Sequence, residues 1–471
     1  MSSTLLISTY EMGRQPFGVA SATAWLRADG WDVRAIDAAK EQLTVDRLAG
    51  ADLVGFHLPM HTATRLAGPV IVAARRANPN AAIAAFGLYA PLNAEWLRSL
   101  GVDAVFGGEF EAELTAWAAA RTQRPQSPPR SQRSEITVHK EDSLDAANSA
   151  GSALPRVPRI HFLVPDRSTL PPLKRYATLQ MPDGTRRTVG YTEASRGCRH
   201  RCRHCPVVPI YEGQFRVVQT EVVLADIAAQ VGAGASHITF GDPDFFNGPT
   251  HAMRIVRALH DAHASVSYDV TIKVEHLLKH RDLVPLLHET GCAFVTSAVE
   301  SIDDRVLAIF DKGHTRRDVI EAVTVCQDAG VTLMPTFVAF HPWLTLASYC
   351  ELLDTIESLD LIDHVAPIQL AIRLLVPEGS RLITAPEMRP HLGGFDPATL
   401  TYRWSHPDPR VDLLHEELTR IVGARLAVDR RALFDAVSAL AHERAAVSRR
   451  HDSRPARAGA TVPYLNEPWY C

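Results

Sequence analysis

Three cysteines stand close together near the middle of this 471-residue chain. Cys198, Cys202 and Cys205 follow the spacing Cys-x3-Cys-x2-Cys, and the whole chain has only seven cysteines. Closely spaced thiolates without other ligands are how proteins hold iron–sulfur clusters. A 4Fe-4S cluster that receives three local thiolates keeps one iron open to another ligand. The spacing therefore predicts a 4Fe-4S cluster with one iron available for chemistry.

The cysteines allow two other interpretations. A structural zinc site needs a fourth ligand, which His200 or His204 in the same segment would supply. Disulfides are disfavoured, because a few scattered cysteines and no recognisable signal peptide indicate a reducing compartment. We therefore expect a cytoplasmic protein.

Composition argues against two classes of partner. The formal net charge is -4, so no general attraction to nucleic acid is expected, although arginines flank the cysteines. Mean hydropathy is -0.05, and no apolar run reaches the roughly 18 residues that a membrane-spanning helix needs. Hydrophobic residues make up 46% of the chain, which is typical of a globular protein with more than one domain.

The N-terminal part, residues 1–120, alternates short apolar runs with amphipathic stretches. This rhythm predicts an α/β fold with a Rossmann-like doubly wound sheet, whose ligands bind beyond the carboxyl ends of the strands. The predicted strands are Leu5–Thr9, Asp32–Ile36, Asp52–Phe56 and Ala81–Phe86.

The rest of the chain divides into three parts. Residues 121–156 are rich in Arg, Gln, Ser and Pro and are predicted to be a flexible linker. Residues 157–385 resume the strand–helix rhythm as six units, which predicts a partial (βα)6 barrel of the TIM type with its site at the carboxyl ends of the strands. Residues 386–471 are expected to form a helical extension with a flexible tail.

The cysteine spacing and these units resemble the radical S-adenosylmethionine (SAM) superfamily. The resemblance implies that SAM chelates the open iron and is cleaved reductively, with an electron donor of the flavodoxin or ferredoxin type. It also implies that His204, which precedes the third cysteine, lies against the adenine, where an aromatic residue is usual.

Strand ends after the cluster supply further cofactor-binding candidates. Gly241, Asp242 and Asp244 occupy the place of the superfamily's Gly-Gly-Glu element, which implies that Asp242 or Asp244 receives the amino group of SAM. Glu300 and Ser301 resemble the pair that holds the ribose hydroxyls and the carboxylate of SAM.

Three weaker candidates follow from their positions on strands. Lys273 and Glu275 come after the third barrel strand and are predicted to face the site as catalytic groups. Arg373, on the predicted sixth strand, is the candidate guanidinium clamp for a carboxylate. Charged residues that only form ion pairs closing the barrel would give the same sequence pattern as these three candidates.

A closer resemblance covers nearly the whole chain. The chain resembles radical SAM proteins named for a Cys-Cys-Ala-Glu-Pro or Cys-selenocysteine-Ala-Glu-Pro tail. The segments that carry this resemblance are Ser8–Phe17, Pro59–Arg65, Gly87–Asn93, His204–Pro209 and Lys273–Leu277. The chain stops at Cys471, where the first tail cysteine of that family stands. The resemblance implies a redox-active tail residue and a selenoprotein shortened at a UGA codon; a genuine terminus is the alternative.

Residues 1–120 also resemble the cobalamin-binding domain that precedes the barrel in many radical SAM enzymes. The run Asp-x-His-x-x-Gly, which replaces the lower ligand of cobalt in one version of that domain, is missing. His57 and His61 are ligand candidates by position only. Both bound cobalamin and a docking module without the cofactor stay open.

The predicted function is radical SAM catalysis on a small-molecule acceptor. The resemblance favours transfer of a radical or alkyl fragment, such as the 3-amino-3-carboxypropyl group, to trivalent arsenic. Cobalamin-dependent methylation is the alternative, and a non-catalytic iron–sulfur relay is the alternative from another class.

Overall fold

The computed structural model describes residues 2–122, 159–424, 430–449 and 462–466. The predicted linker and Cys471 therefore lie outside the described residues, apart from the first two linker positions. Among the helices of the described residues, none combines the length and the apolar character required to cross a lipid bilayer.

The N-terminal domain is a five-stranded parallel sheet with the strand order β2-β1-β3-β4-β5. Its strands are β1 Ser3–Ser8, β2 Asp32–Asp37, β3 Leu53–His57, β4 Ala82–Phe86 and β5 Ala104–Phe106. Its helices are α1 Phe17–Ala28, α2 Val45–Leu48, α3 His61–Ala77, α4 Ala94–Ser99 and α5 Phe110–Thr122. The predicted doubly wound sheet is confirmed.

Alternating side chains of the N-terminal strands are buried on opposite faces of the sheet. Leu5 and Ile7 pack with α3 and α4, whereas Leu6 packs with α1 and α5. Parallel strands covered on both faces read as continuous apolar runs, which is why the sequence predicts them well. The strand order reverses between β1 and β3, so the loops after these two strands flank a crevice of the type that binds ligands.

The second sheet is a curled half-barrel with the order β13-β12-β11-β10-β7-β6-β16. Its five parallel strands are β7 Arg186–Thr192, β10 His237–Phe240, β11 Ser267–Thr271, β12 Cys292–Glu300 and β13 Leu333–Phe337. The antiparallel strands β6 Thr178–Gln180 and β16 Tyr464–Leu465 extend one edge, and β8 Ser195–Gly197 and β9 Phe215–Val217 form a separate ribbon.

Six helices pack into the hydrophobic core of this half-barrel. They are α7 Thr220–Gly232, α8 Pro249–Ala262, α9 Val274–Lys279, α10 Val284–Glu289, α12 Arg316–Asp328 and α13 Leu346–Ser358. The short helix α6 Val208–Tyr211 packs with the cysteine segment, and α11 Asp304–Phe310 belongs to a separate hydrophobic cluster.

The predicted sixth barrel strand is not formed as a strand. Residues Pro367–Leu370 form a short 3-10 helix, and the only trace of strand pairing described there is one parallel bridge between Phe340 and Arg373. The side chain of Gln369 accepts a hydrogen bond from the backbone N–H of Phe337 at 2.9 Å. This side chain satisfies a donor at the end of β13 that a sixth strand would otherwise pair.

The C-terminal extension contains a hairpin and two helices. They are β14 Leu392–Asp396, β15 Thr401–Trp404, α14 Pro409–Ala424 and α15 Arg430–Ala445. Leu418 and Leu433 belong to the same hydrophobic core as Ile238 and Val295 of the half-barrel. Much of the extension therefore folds as part of the barrel domain.

Candidate functional site

The cysteine segment follows β7 and the first strand of the small ribbon, at the carboxyl edge of the half-barrel. Cys198 and Cys202 are buried and Cys205 is partly buried. Cys198 and Cys205 pack with Val207, Tyr211 and, from the N-terminal domain, Leu88. The edge of the first sheet thus touches the predicted cluster segment directly.

The three thiols are a donor set that fits a metal cluster. Burial, with a smaller contribution from the neighbouring cysteines, raises the pKa of Cys198 to about 11 and that of Cys205 to about 12. Thiolates in such surroundings need positive charge to become stable, and iron supplies it. The residues present therefore fit the iron–sulfur cluster that the spacing predicts.

Two lysines add positive charge beside the cysteines. Lys273 Nζ lies 3.8 Å from Sγ of Cys202 and donates to the carbonyl oxygen of Lys312 at 2.9 Å. Lys312 Nζ lies 3.4 Å from Oε1 of Glu300. The sequence predicts Lys273 as a site residue but not Lys312, because Lys312 follows helix α11 rather than a strand.

Glu300 and Ser301 end β12 beside His204. Nε2 of His204 lies 3.2 Å from Oε1 of Glu300, and the imidazole packs on Phe310 with ring centroids 4.7 Å apart. Burial by itself raises the pKa of Glu300, but the Lys312 ammonium and the His204 imidazole outweigh it and hold the pKa at about 2. Glu300 is therefore an ionised acceptor.

The backbone and a cavity also mark this strand end. Glu300 has φ of +68°, a left-handed conformation that non-glycine residues rarely adopt and that concentrates at functional sites. Glu300 and Ser301 line a cavity of about 350 Å³, together with His341 and Arg316. The lining of this cavity includes none of the three cysteines, so the role of Glu300 and Ser301 in holding SAM stays a prediction.

The segment after β10 is engaged within the protein. Asp242 accepts hydrogen bonds from the backbone N–H of Ala194 at 2.9 Å and from Oγ of Ser195 at 2.5 Å, and burial raises its pKa to about 7. Asp244 accepts from the N–H of Phe246 and faces two histidines. Gly241 has no room for a side chain, since a Cβ there would lie 1.7 Å from Oη of Tyr191.

The other predicted residues divide between the site and the C-terminal extension. Oε2 of Glu275 lies 3.7 Å from Nζ of Lys273, so both border the cysteine segment. Arg373 instead donates to Oδ1 of Asp412 at 2.7 Å and stacks on Trp404, and these contacts engage it in the extension. Cys471 lies outside the described residues, so its predicted role stays a prediction.

A cavity of about 200 Å³ lies between the two sheets. Its N-terminal wall comes from the loops after β1, β3 and β4, and its other wall comes from the ends of β7 and β10. Residues on the two walls include Glu11, Met60, Leu88, Tyr191 and Gly241. The cavity thus occupies the crevice where the strand order of the first sheet reverses, and it faces the cysteine segment.

Histidine side chains near this cavity are already engaged. Nδ1 of His57 lies 2.6 Å from Oε1 of Glu11, and its Nε2 faces Gly18, where a Cβ would lie 2.1 Å away. Nε2 of His61 lies 2.6 Å from the carbonyl oxygen of Thr399. One ring nitrogen of each histidine is thus engaged within the protein.

A buried charge network, which sequence reasoning missed, joins the two domains next to the cavity. The guanidinium of Arg196 lies 3.2 Å from Glu109, 2.8 Å from Glu111 and 2.6 Å from Glu193. Burial raises the pKa of Glu109 to about 7 even though Arg196 lowers it. The network fixes the first sheet against the segment that leads into the cysteines.

Comparison with known proteins identifies the central part of the chain. The sequence profile of the radical SAM superfamily matches residues 192–356. The hopanoid C-3 methylase of Methylococcus capsulatus is 26% identical over 151 residues, which are 32% of this chain and 29% of the methylase. The chain therefore aligns with less than a third of that relative.

Solved structures share the fold over both domains. The cobalamin-dependent SAM radical enzyme OxsB, with aqua-cobalamin and SAM bound, has a TM-score of 0.68 at 14% identity, over 94% of this chain and 72% of that one. The radical SAM methyltransferase TsrM from Kitasatospora setae, with cobalamin and a [4Fe-4S] cluster bound, has a TM-score of 0.57 at 17% identity, over 76% of this chain and 74% of that one.

These findings confirm the broader predictions and leave the finer ones open. The superfamily implies a 4Fe-4S cluster and SAM as cofactors. The predicted membership in the family with a Cys-Cys-Ala-Glu-Pro or Cys-selenocysteine-Ala-Glu-Pro tail is not confirmed. The chain carries a radical SAM domain at residues 192–356, in agreement with the predicted radical SAM enzyme, and it shares the fold of OxsB and TsrM.

Proposed function

We propose that this enzyme binds cobalamin between its two domains and methylates a small-molecule acceptor by radical SAM chemistry. The observation that carries the proposal is the cavity between the carboxyl edge of the first sheet and the cysteine segment. Leu88 lines this cavity and also packs with the cysteine segment, so a ligand held there would lie next to the cluster.

The residues of this chain have distinct tasks in the proposal. Cys198, Cys202 and Cys205 would hold a 4Fe-4S cluster, which would supply the electron for cleavage of SAM, and cobalamin in the crevice would supply a methyl carrier. Glu300 accepts hydrogen bonds from the ribose hydroxyls of SAM, and His204 lies where it can stack on the adenine. Lys273 and Lys312 balance the charge of the cluster.

Cobalamin in this site would have no imidazole ligand from the protein. The contacts of His57 and His61 within the protein support this, as does the missing sequence run. Hyperfine coupling of a histidine nitrogen to cobalt in the cob(II)alamin state would contradict it.

Cobalamin binding is tested on anaerobically reconstituted protein passed through a desalting column with hydroxocobalamin. We expect about one cobalamin per chain to co-elute. Met60→Trp fills the cavity from the N-terminal wall and should abolish co-elution while iron content is retained; Leu66→Trp, at an exposed position of α3, is the control. If cobalamin is absent from wild-type fractions, the proposal is wrong.

The cluster is tested separately. Replacing Cys198, Cys202 or Cys205 by Ala should each abolish the 4Fe-4S signal, because a cube with two thiolates is not held. Cys326→Ala, a buried cysteine elsewhere in the barrel, is the matched control. Full iron content in all three variants would overturn the assignment.

A second candidate reaction is transfer of the 3-amino-3-carboxypropyl group of SAM to trivalent arsenic. It rests on the resemblance to the cysteine-tail family, and a flavodoxin- or ferredoxin-type donor serves either reaction. Product analysis separates the reactions. Radical methylation consumes two SAM molecules: the methyl donor leaves S-adenosylhomocysteine, and the reductively cleaved SAM leaves 5'-deoxyadenosine and methionine. Transfer of the 3-amino-3-carboxypropyl group leaves 5'-methylthioadenosine instead. A non-catalytic relay would consume no SAM.

A further inference from the structure

Three side chains from different elements converge beside the cysteine segment. His200 stands between Cys198 and Cys202 in the sequence, Asp244 follows β10, and His276 lies on α9. Nδ1 of His276 lies 2.7 Å from Oδ2 of Asp244, and Nε2 of His200 lies 3.6 Å from the same oxygen. One ligand atom from each residue lies within 4.8 Å of the other two.

The same three atoms lack hydrogen-bond partners among the described residues. Nε2 of His200, Oδ2 of Asp244 and Nδ1 of His276 are all buried and unsatisfied, because the close contact of His276 with Asp244 does not have hydrogen-bond geometry. The side chain of Asp244 is completely buried and His276 is 6% exposed. Leaving one buried polar atom unpaired costs about 1–3 kcal/mol, so three such atoms at one point need a common partner.

We propose that His200, Asp244 and His276 bind one divalent transition-metal ion, separate from the cluster held by the cysteines. Two imidazoles and one carboxylate are a ligand set typical of zinc and of ferrous iron. Ligands about 2.0–2.2 Å from a tetrahedral ion are roughly 3.4 Å apart. The separations of 2.7 and 3.6 Å lie on either side of this value, so small side-chain rotations complete the site.

The surroundings of His200 support a metal. Its other ring nitrogen, Nδ1, lies 3.4 Å from Oε2 of Glu275. A histidine that ligates a metal commonly donates its second ring N–H to a carboxylate, which fixes the orientation of the ring. The ion connects the cysteine segment to the end of β10 and the start of α9, so it holds the middle of that segment in place.

This assignment gives Asp244 a different role from reception of the SAM amino group, and the two roles are separable. In the metal role, Asp244→Asn lowers metal affinity in protein that contains no SAM. In the SAM role, it lowers SAM affinity and leaves metal affinity unchanged. If the three side chains only form ion pairs with one another, neither the wild-type protein nor the Asp244→Asn variant would bind a metal at this site.

The experiment uses the triple variant Cys198→Ala, Cys202→Ala, Cys205→Ala. Because this variant holds no cluster, iron does not interfere with the measurement of bound zinc per chain. The protein is incubated with ZnCl2, desalted and analysed by inductively coupled plasma mass spectrometry, and the affinity is measured by competition with a chromophoric chelator. We expect about one zinc per chain. Adding His276→Ala or Asp244→Asn should weaken binding at least about tenfold, whereas His280→Ala, the neighbouring histidine outside the set, should not.

A second measurement protects the test against misfolding of the triple variant. Wild-type protein with its cluster intact is loaded with Co2+, and the difference spectrum against protein without Co2+ should show d–d absorption and no added thiolate-to-cobalt charge-transfer bands. His276→Gln should lose this absorption while keeping its iron. Zinc well below one per chain in the triple variant would overturn the proposal. So would an unchanged zinc affinity, relative to the triple variant, after His276→Ala or Asp244→Asn is added, and neither result depends on cobalamin or on turnover.

Discussion

Nζ of Lys312 lies 3.4 Å from Oε1 of Glu300, and both side chains are buried beside the cysteine segment. The pair joins the end of β12 to the segment after α11. Cys202 and Cys205 raise the pKa of Lys312 together with Glu300, although burial alone lowers it. One ammonium group therefore stabilises both the carboxylate proposed to bind SAM and the thiolates proposed to bind iron.

The first prediction concerns that carboxylate. Glu300→Gln should weaken SAM binding by about 1.5–3 kcal/mol, roughly ten- to a hundredfold, because the ribose hydroxyls lose a charged acceptor. Equilibrium dialysis with reconstituted protein measures the affinity. Iron content should not change, and Glu289→Gln, at an exposed position, is the control. Equal SAM affinity in both variants would remove Glu300 from the site.

The second prediction concerns Lys312. Reduction adds negative charge to the cluster, and a nearby ammonium group favours the reduced state. Lys312→Met should therefore shift the reduction potential of the cluster to a more negative value. A redox titration monitored by electron paramagnetic resonance measures it, with Lys279→Met on the exposed side of α9 as the control. Coincident titration curves for Lys312→Met and wild type would contradict the proposed charge balance.

The sequence predicts those parts of the fold that depend on local pattern. Apolar runs locate the four predicted strands of the first sheet and the first five parallel strands of the half-barrel, because parallel strands are buried on both faces. The segment around Gln369 has the same apolar character, yet the Gln369 side chain takes the hydrogen bond that a sixth strand would take. A hydrogen bond from a side chain that replaces backbone pairing leaves no periodic pattern in the sequence.

The residues of the candidate site also fall into two groups, those that the sequence locates and those that it does not. Cysteine spacing and strand ends locate Cys198, Lys273 and Glu300, since carboxyl ends of parallel strands share one edge. Arg373 satisfies the same rule, but its partner Asp412 lies on α14 in the C-terminal extension, and only the tertiary structure reveals this. Lys312 follows a helix and reaches the site through its long side chain, so strand-end reasoning does not select it.

The third prediction concerns the contact between the domains. Arg196→Gln should lower the free energy of unfolding by about 3–5 kcal/mol, because it leaves the buried carboxylates of Glu109, Glu111 and Glu193 without a cation. Chemical denaturation measures it. Arg196→Lys should lie between the variant and wild type, since an ammonium group cannot contact three carboxylates as a guanidinium does. Arg186→Gln, at an exposed position of β7, should have almost no effect.

The last prediction concerns the pH dependence of stability. Asp37 ends β2, is 1% exposed and accepts a hydrogen bond from the N–H of Ala39 at 3.0 Å. Burial raises its pKa from 3.8 to about 6, which outweighs the lowering effect of that hydrogen bond. Between these values the folded protein keeps a proton that the unfolded chain releases. The contribution of Asp37 to stability is therefore complete below pH 4 and is lost as pH rises to about 6.

Asp37→Asn removes this titration while keeping the size and the acceptor of the side chain. The free energy of unfolding of wild type, relative to Asp37→Asn, should fall by about 2 kcal/mol as pH rises from about 4 to 6, and should level off above about pH 7. Urea denaturation of both proteins across this range measures the difference. Asp32→Asn, at the exposed start of the same strand, should give a curve parallel to that of wild type. If the curve of Asp37→Asn also runs parallel to wild type, the buried carboxyl of Asp37 does not titrate as proposed.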